Sequence, residues 1–272
     1  MGFSLTTALL LVLLGVAVGA FGTLVGAGGG FVLTPVLLIL YPHDSAQTLT
    51  AISLVVVFFN ALSGSVAYFR LRRIDFRSGI PFALATIPGA IGGALLVSVV
   101  SRHLFDLVIA ATIGGLAAWL ALGGGRREHA PSGGTPRVLS DSSGHTYRYS
   151  VRVWRGVAYS TAVGFFSSFL GIGGGIFHVP LLIRGLGFPT HIATATSHFI
   201  LAIMGGSASI THLLAGSFSH GHGLHRAVAL SIGVVGGAQI GAFASTKMSG
   251  RLIQWLLVAA LFVLAVRLFI SA

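Results

Sequence analysis

The sequence has 272 residues, of which 54% are hydrophobic and 8% are charged. Because soluble domains carry roughly 25% charged residues, this composition excludes a soluble globular protein and predicts a chain embedded in lipid. The net charge of +11 would suggest a nucleic-acid partner in a soluble protein, but the sixteen Lys and Arg residues lie mainly in loops between apolar segments. That distribution is typical of membrane topology, so no nucleic-acid partner is predicted.

The first half of the sequence contains five apolar segments, at residues 5–25, 31–41, 46–69, 79–100 and 104–122. The four long segments match helices that cross a hydrocarbon core of about 30 Å. Segment 31–41 would reach only about 16 Å as a helix, so it cannot span the core alone. A broken or re-entrant helix behind a glycine loop is expected there. Segment 5–25 lacks a basic flank, so we expect it to remain in the mature protein rather than act as a signal peptide.

Residues 123–153 separate the two halves of the sequence. From 123 to 150 they are rich in Gly, Ser, Pro, Arg and His and show little periodicity. Such a composition predicts a solvent-exposed, mobile linker. The predicted domains are therefore a first transmembrane repeat at 1–122, a flexible cytoplasmic linker at 123–153, and a second transmembrane repeat at 154–272.

The second half repeats the first. Its segments lie at 154–170, 176–186, 191–215, 225–246 and 251–270, and an offset of 145 aligns residues 26–35 with 171–180 at five identical positions of ten. At an offset of 144 the alignment continues and pairs Ser53 with Ser197 and Tyr68 with His212. The sequence thus predicts an all-α polytopic membrane protein built from two repeats of about five segments each.

An odd number of segments places the second repeat in the membrane in the opposite orientation. With the linker in the cytoplasm, thirteen of the sixteen Lys and Arg residues fall inside, and only Arg102, Arg226 and Arg267 fall outside. This satisfies the positive-inside rule and predicts a multi-pass protein of the inner (cytoplasmic) membrane. Inverted repeats with broken helices are the layout of many secondary transporters, which bind substrate near the midplane between the halves.

The paired Gly-x-Gly-Gly-Gly-x4-Pro elements, at 26–35 and 171–180, are each followed by a stretch rich in Ala, Thr and Ser, at 46–53 and 193–197. In these elements the chain resembles the sulfite exporter TauE/SafE family, over nearly its whole length outside the linker. The resemblance implies transport of sulfite, sulfoacetate or a related sulfur-containing anion, and it is more specific for fold and class than for the ligand.

An enzyme is not predicted, because the sequence has no cysteine, no Gly-x-Ser-x-Gly, no His-Glu-x-x-His and no paired intramembrane aspartates. No cofactor is predicted either. His220, His222 and His225 mimic a metal-binding spacing, but a single loop with intervening glycines is poorly preorganised, so no metal site is expected. A passive anion channel and a permease for another small anion remain alternatives, and a homo-oligomer remains open.

The two glycine loops are the first candidates for substrate binding. Consecutive glycines expose backbone N–H groups and permit positive φ, and a following helix N-terminus adds partial positive charge, a combination that binds oxyanions. Close packing of membrane helices is the alternative explanation. The candidate residues of the two loops are Gly28, Gly29, Gly30, Gly173, Gly174 and Gly175.

Polar residues near the loops complete the predicted site. Ser53, Asn60, Ser197 and His198 can donate to a sulfonate, which offers only acceptor oxygens, although each can instead bond within or between helices. No Asp or Glu lies well inside an apolar segment, so histidine is the remaining group for proton coupling. His198 and His212 are the candidates, with a neutral ring bonded to backbone as the alternative.

Overall fold

A computed structural model describes residues 4–122, 134–218 and 222–271 of the protein. Five helices form the first half: α1 (Leu5–Val25), α2 (Gly30–Leu40), α3 (Ala46–Arg70), α4 (Phe76–Leu96) and α5 (Arg102–Leu122). A hairpin of β1 (Thr135–Ser140) and β2 (Thr146–Val151) follows. The second half contains α6 (Val153–Leu170), α7 (Gly175–Pro180, continued by a π-helical turn at Leu181–Gly185), α8 (Thr190–Leu214), α9 (Gly223–Thr246) and α10 (Gly250–Ser271). The predicted all-α class is confirmed, and each predicted segment is a helix within a few residues of its expected bounds.

Local sequence explains where the helices begin and end. Ser45 and Asp75 cap α3 and α4 by accepting hydrogen bonds from the backbone N–H groups three residues ahead. Helices α1 and α6 both stop at a glycine with positive φ, 81° at Gly26 and 67° at Gly171. Only glycine adopts this conformation without strain, so each helix ends where its glycine loop begins.

Five helices within the described residues are both long enough and apolar enough to cross a membrane: α1, α3, α4, α8 and α9. Helices α2 and α7 are much shorter, and both lie buried inside the bundle. Proline at the end of α7 removes a backbone donor, and the helix continues there as a π-helical turn. The protein is therefore a multi-pass membrane protein with a half-length helix in each half.

The main contacts run between the halves rather than within them. Helix α1 packs on α9 and α6 packs on α4, while α3 packs on α8 and α5 on α10. When each helix is replaced by its equivalent in the other half, the same set of helix pairs results. This is the pattern that a pseudo-two-fold axis between the halves requires. Glycines allow the close approach, because a Cβ on Gly233 would lie 2.9 Å from the Gly15 Cα, and one on Gly164 would lie 3.0 Å from the Thr86 Cα.

The linker prediction needs correction from residue 134 onward. Instead of an irregular mobile segment, residues 135–151 form an antiparallel hairpin that docks on the loop between α3 and α4. Its turn donates a hydrogen bond from the Ser142 N–H to the Leu71 carbonyl at 3.0 Å. The Tyr149 hydroxyl donates to the buried Asp75 carboxylate at 2.9 Å. Residues 123–133 lie outside the described part of the chain.

An ion pair fixes the hairpin turn. Arg73 is 7% exposed and donates through Nε and one terminal nitrogen to Asp141 Oδ2, at 3.2 and 3.1 Å. Burial raises the pKa of the Asp141 carboxyl, but hydrogen bonds from Ser143 and Arg73 outweigh this effect and lower that pKa from 3.8 to about 2. A lowered carboxyl pKa stabilises the fold above about pH 4, and the contribution is lost as the pH falls towards 2.

Asp141→Asn should lower the free energy of unfolding by about 3–5 kcal/mol at neutral pH, because it leaves the buried Arg73 guanidinium without its counterion. Thermal unfolding of the purified protein in detergent measures this change. Ser140→Ala, on an exposed hairpin residue, should stay within about 0.5 kcal/mol of the wild type. If the two variants unfold at the same temperature, the ion pair does not hold the hairpin.

Candidate functional site

The two glycine loops, residues 26–30 and 171–175, are in direct contact at the centre of the bundle. A Cβ on Gly175 would overlap the Ala27 Cα, and one on Gly30 would lie 2.7 Å from the Ile172 carbonyl oxygen. Every residue of both loops is buried. Each half therefore contributes one loop to a single central contact.

Each loop also packs on a threonine of the opposite half. A Cβ on Gly26 would lie 2.8 Å from the Thr194 Cα, and one on Gly171 would lie 2.9 Å from the Thr50 Cα. Thr50 and Thr194 are equivalent at the repeat offset of 144. The contact between the halves is thus made twice, with the same residue types in exchanged positions.

Backbone conformation separates the candidate glycines into two groups. Gly28, Gly29 and Gly173 have φ of 74°, 81° and 72°, whereas Gly174 caps α7 with φ −63°. A requirement for positive φ thus applies to the first three and not to Gly174. Helices α2 and α7 begin directly after the loops. As at any helix N-terminus, their first N–H groups lack an intrahelical partner and carry the positive end of the helix dipole. No side chain caps these groups.

Ser197 and Thr34 tie the loops to the opposite halves, and Ser53 hydrogen-bonds to Thr34. The Ser197 hydroxyl donates to the Gly26 carbonyl at 3.0 Å. On the other side, Thr34 Oγ1 lies 2.6 Å from the Gly171 carbonyl and 2.9 Å from Ser53 Oγ. Since a threonine hydroxyl has one proton and the carbonyl can only accept, Thr34 donates to Gly171 and Ser53 donates to Thr34. Both serines are engaged in this structure, and donation to a substrate would require these bonds to open.

Asn60 and His198 meet in a buried polar cluster with a residue that the sequence analysis did not select. Thr23 Oγ1, on the last turn of α1, lies 3.2 Å from Asn60 Oδ1 and 3.2 Å from His198 Nε2. The Tyr68 hydroxyl donates to the Thr23 carbonyl at 2.8 Å. Thr23, Asn60, Tyr68 and His198 are all 0% exposed. No sequence signal marked Thr23, because a lone threonine inside an apolar helix is common and its partners come from distant segments.

His212 stands apart from this cluster. It lies in the last turn of α8, where its Nδ1 is 3.0 Å from Ser217 Oγ, and Ser217 in turn accepts from Gln47 Nε2 at 3.0 Å. The rings of His222 and His225 are 5.8 Å apart, and His220 lies outside the described residues. Within the described ranges no group of three His, Asp or Glu side chains is arranged to hold a metal ion.

Two half-length helices that meet at glycine loops inside a bundle of spanning helices are typical of membrane transport proteins. The model of the family described as sulfite exporter TauE/SafE matches residues 11–268, and the chain belongs to this family. The protein is thus a membrane transporter of the TauE/SafE family, as the resemblance implied.

Its relatives carry the same general description. The chain is 31% identical to the probable membrane transporter protein YunE of Bacillus subtilis strain 168, over 90% of each chain. It is 24% identical to a probable membrane transporter protein of Methanocaldococcus jannaschii, over 76% of this chain and 72% of the relative. A probable membrane transporter protein of Haemophilus influenzae is also 24% identical, over 93% and 88% of the two chains. No solved structure matches the chain.

Proposed function

We propose that the protein is a secondary transporter, and specifically an exporter, of a small sulfur-containing oxyanion such as sulfite, sulfoacetate or another organosulfonate. The observation that carries this proposal is the contact between the two glycine loops, each directly ahead of a half-length helix with no side-chain cap. Backbone N–H groups at helix N-termini bind oxyanions without a cationic side chain. The substrate site proposed here comprises the six loop glycines together with Ser53, Asn60, Ser197 and His198.

Reconstitution into proteoliposomes tests the proposal. Uptake and efflux of sulfite, sulfoacetate, taurine and sulfate are compared side by side, with protein-free vesicles as the control. A carrier saturates with substrate concentration and shows counterflow, whereas a passive anion channel conducts without counterflow. Saturable flux of a sulfur oxyanion supports the proposal. Flux that rises linearly with concentration favours the channel, and flux confined to another class of anion favours a different permease.

The proposed membrane orientation has the hairpin and the rest of the 123–153 segment in the cytoplasm of a cell whose inner membrane holds the protein. Because the chain has no cysteine, single cysteines can report the side of the membrane. Ser140→Cys should resist a membrane-impermeant maleimide in intact cells, and Leu224→Cys, beside residues 221–223, should react. Reaction of both positions from the same side would contradict the inverted repeat.

His198→Gln should flatten the pH dependence of transport while the protein remains folded and inserted. Histidine is the one residue type whose ordinary pKa lies close to physiological pH, and glutamine keeps hydrogen-bonding capacity without a titratable ring. Initial rates between pH 5.5 and 8.5 measure the effect, with His212→Gln as the comparison. A pH profile identical to the wild type would remove His198 from proton coupling, and a change confined to His212→Gln would reassign the role.

A further inference from the structure

The buried hydrogen-bond chain of His198, Thr23 and Asn60 has a proton count that depends on which way the Asn60 amide faces. His198 Nδ1 lies 3.3 Å from the Thr194 carbonyl, which can only accept, so Nδ1 carries a proton. In the neutral ring Nε2 is then an acceptor. Thr23 has one hydroxyl proton but faces two acceptors, His198 Nε2 and Asn60 Oδ1, each at 3.2 Å. With the Asn60 oxygen towards Thr23 and a neutral ring, one of these buried acceptors is left without a donor.

One additional proton on His198 completes the chain. With Nε2 protonated, the ring donates to Thr23 Oγ1, and the Thr23 hydroxyl donates to Asn60 Oδ1. The neutral ring is satisfied only if the Asn60 amide turns over, so that its Nδ2 donates to Thr23 and Thr23 donates to His198. In the orientation seen, Asn60 Nδ2 is buried and has no partner among the described residues. The two arrangements share the same heavy-atom positions, so the chain accommodates either protonation state of the ring, and they differ by one proton and one amide rotation.

Only one half of the molecule contains this chain. At the repeat offsets Thr23 corresponds to Ser168, Asn60 to Met204 and His198 to Leu54. Leu54 and Met204 belong to one buried apolar cluster. Two of the three equivalent positions in the other half are thus apolar, and the buried Ser168 hydroxyl has no partner among the described residues. The repeat architecture therefore does not by itself demand this polar chain.

The described groups seen against the His198 ring are uncharged. They include Thr23 of α1 and Gly64 and Tyr68 of α3. Helix α1 has no titratable residue from Leu5 to Val25, and on α3 the facing titratable group is Tyr68, with ring centroids 5.5 Å apart. Arg73 and Asp75, which follow α3 in the chain, are engaged by the hairpin. A protonated His198 therefore has no counterion from these groups, and a buried charge without one is costly.

The first glycine loop lies directly beside this chain. Thr23 is three residues before Gly26 and accepts its N–H through the backbone carbonyl at 3.1 Å. Ser197, the neighbour of His198, donates to the Gly26 carbonyl. An anion bound at the loop would therefore lie next to the residues that contact or adjoin His198. Its negative charge would serve as the counterion of the protonated ring.

We propose that the chain of His198, Thr23 and Asn60 is a proton site that is filled together with the anion site, so that one proton crosses the membrane with each anion. This inference rests on the proposed anion transport. Thr23 and Asn60 act as positioning residues, because Thr23 accepts a hydrogen bond from the protonated ring and donates its own proton to Asn60. By linkage, the anion must raise proton affinity by the same factor by which the proton raises anion affinity.

Proton movement counted per anion tests the proposal. Proteoliposomes containing a trapped pH-sensitive dye receive sulfoacetate, which is fully ionised at pH 7, so that the dye reports only the proton carried by the protein. The wild type should carry about one proton per sulfoacetate. Any residual flux of His198→Gln should carry none.

Matched variants separate the positioning role from a structural one. Thr23→Ala should need a proton concentration roughly ten or more times higher than the wild type does to reach the wild-type ratio of protons to sulfoacetate. The reason is that the charged ring loses its hydrogen-bond acceptor. Thr23→Ser, which restores the hydroxyl, should recover that ratio. Ser168→Ala, the same truncation at the equivalent position of the other half, should match the wild type.

The possible results separate failure of the proton-site inference from failure of the proposed transport function. Sulfoacetate flux without proton movement in the wild type overturns this inference and leaves the proposed function standing. A Ser168→Ala effect equal to that of Thr23→Ala also overturns it, because the chain would then have no special role. Absence of flux for all four anions of the panel overturns the proposed function, and this inference falls with it.

Discussion

Replacing Gly29 with valine should reduce anion transport to near background. Gly29 has φ 81°, a conformation in which a β-branched residue is strained, and a Cβ there would lie 2.7 Å from Val18 Cγ1 and 2.9 Å from the Val18 carbonyl oxygen. The loop must therefore shift, and the N–H groups at the start of α2 shift with it. Losing one hydrogen bond to an anion costs about 1.5–3 kcal/mol, so anion affinity should fall roughly ten- to over a hundredfold.

Gly174→Val separates the anion-binding role of the loops from their structural role. Gly174 has ordinary helical φ, and a Cβ there would meet side-chain atoms, His178 Nδ1 at 3.0 Å and Met204 Sδ at 3.2 Å. Its thermal stability should therefore fall less than that of Gly29→Val, while its anion affinity should also fall because both loops line the same proposed site. Binding of a sulfonate to the purified variants, measured beside their unfolding temperatures, decides between the roles. Normal affinity in both variants would make the loops structural hinges and place the anion site elsewhere.

Most of the helical architecture was predictable from apolar length alone. Segment 5–25 became α1 with identical bounds, and the eleven-residue segment after the first glycine loop became a half-length helix. These features depend on local sequence: the hydrophobic run sets the helix, and Gly26 or Gly171 ends it through positive φ. The repeat alignment also indicated which residues would occupy equivalent positions in the two halves.

The hairpin was missed because its signal is short and half polar. Residues 146–151 read Thr-Tyr-Arg-Tyr-Ser-Val, which alternate in burial, and the preceding turn reads Asp-Ser-Ser-Gly with φ 86° at Gly144. A run rich in Thr, Tyr and Val after such a turn is a strand signal. The surrounding Gly, Ser and Arg residues concealed it, and its docking on Arg73 and Asp75 depends on tertiary contacts.

The polar site was predictable only in part for a related reason. Ser53, Ser197, Asn60 and His198 were visible as polar residues in apolar helices, but their partners were not. Thr34 reaches Gly171 across 137 residues of sequence, and Thr23 reaches His198 across 175. Such pairings follow from how the two repeats interlock, which no local pattern encodes.

The direct contact between the glycine loops has a consequence for transport. Gly30 packs on the Ile172 carbonyl and Gly175 packs on Ala27, so the structure leaves no side-chain-sized gap at either point. An anion that binds between the loops must therefore separate them, which breaks the hydrogen bonds from Ser197 to Gly26 and from Thr34 to Gly171. Opening of this contact is the conformational step that the proposed transport requires.

Gly30→Ala and Gly175→Ala should destabilise the protein by similar amounts, because the two residues are equivalent in the repeat and each added methyl would strike the backbone of the opposite loop. Overpacking of a tight interior costs about 1–3 kcal/mol, and backbone contacts cannot relax as a flexible side chain can. Gly236→Ala is the control, since nothing lies within 4 Å of its added Cβ and it faces outward from α9. Alanine at that helix-interior position should be neutral or stabilise by up to about 1 kcal/mol. Thermal unfolding in detergent compares the three variants. Loss of stability in only one of the loop variants would mean that the two halves do not share the central contact equally, and the proposed pair of matching loops would no longer describe the site.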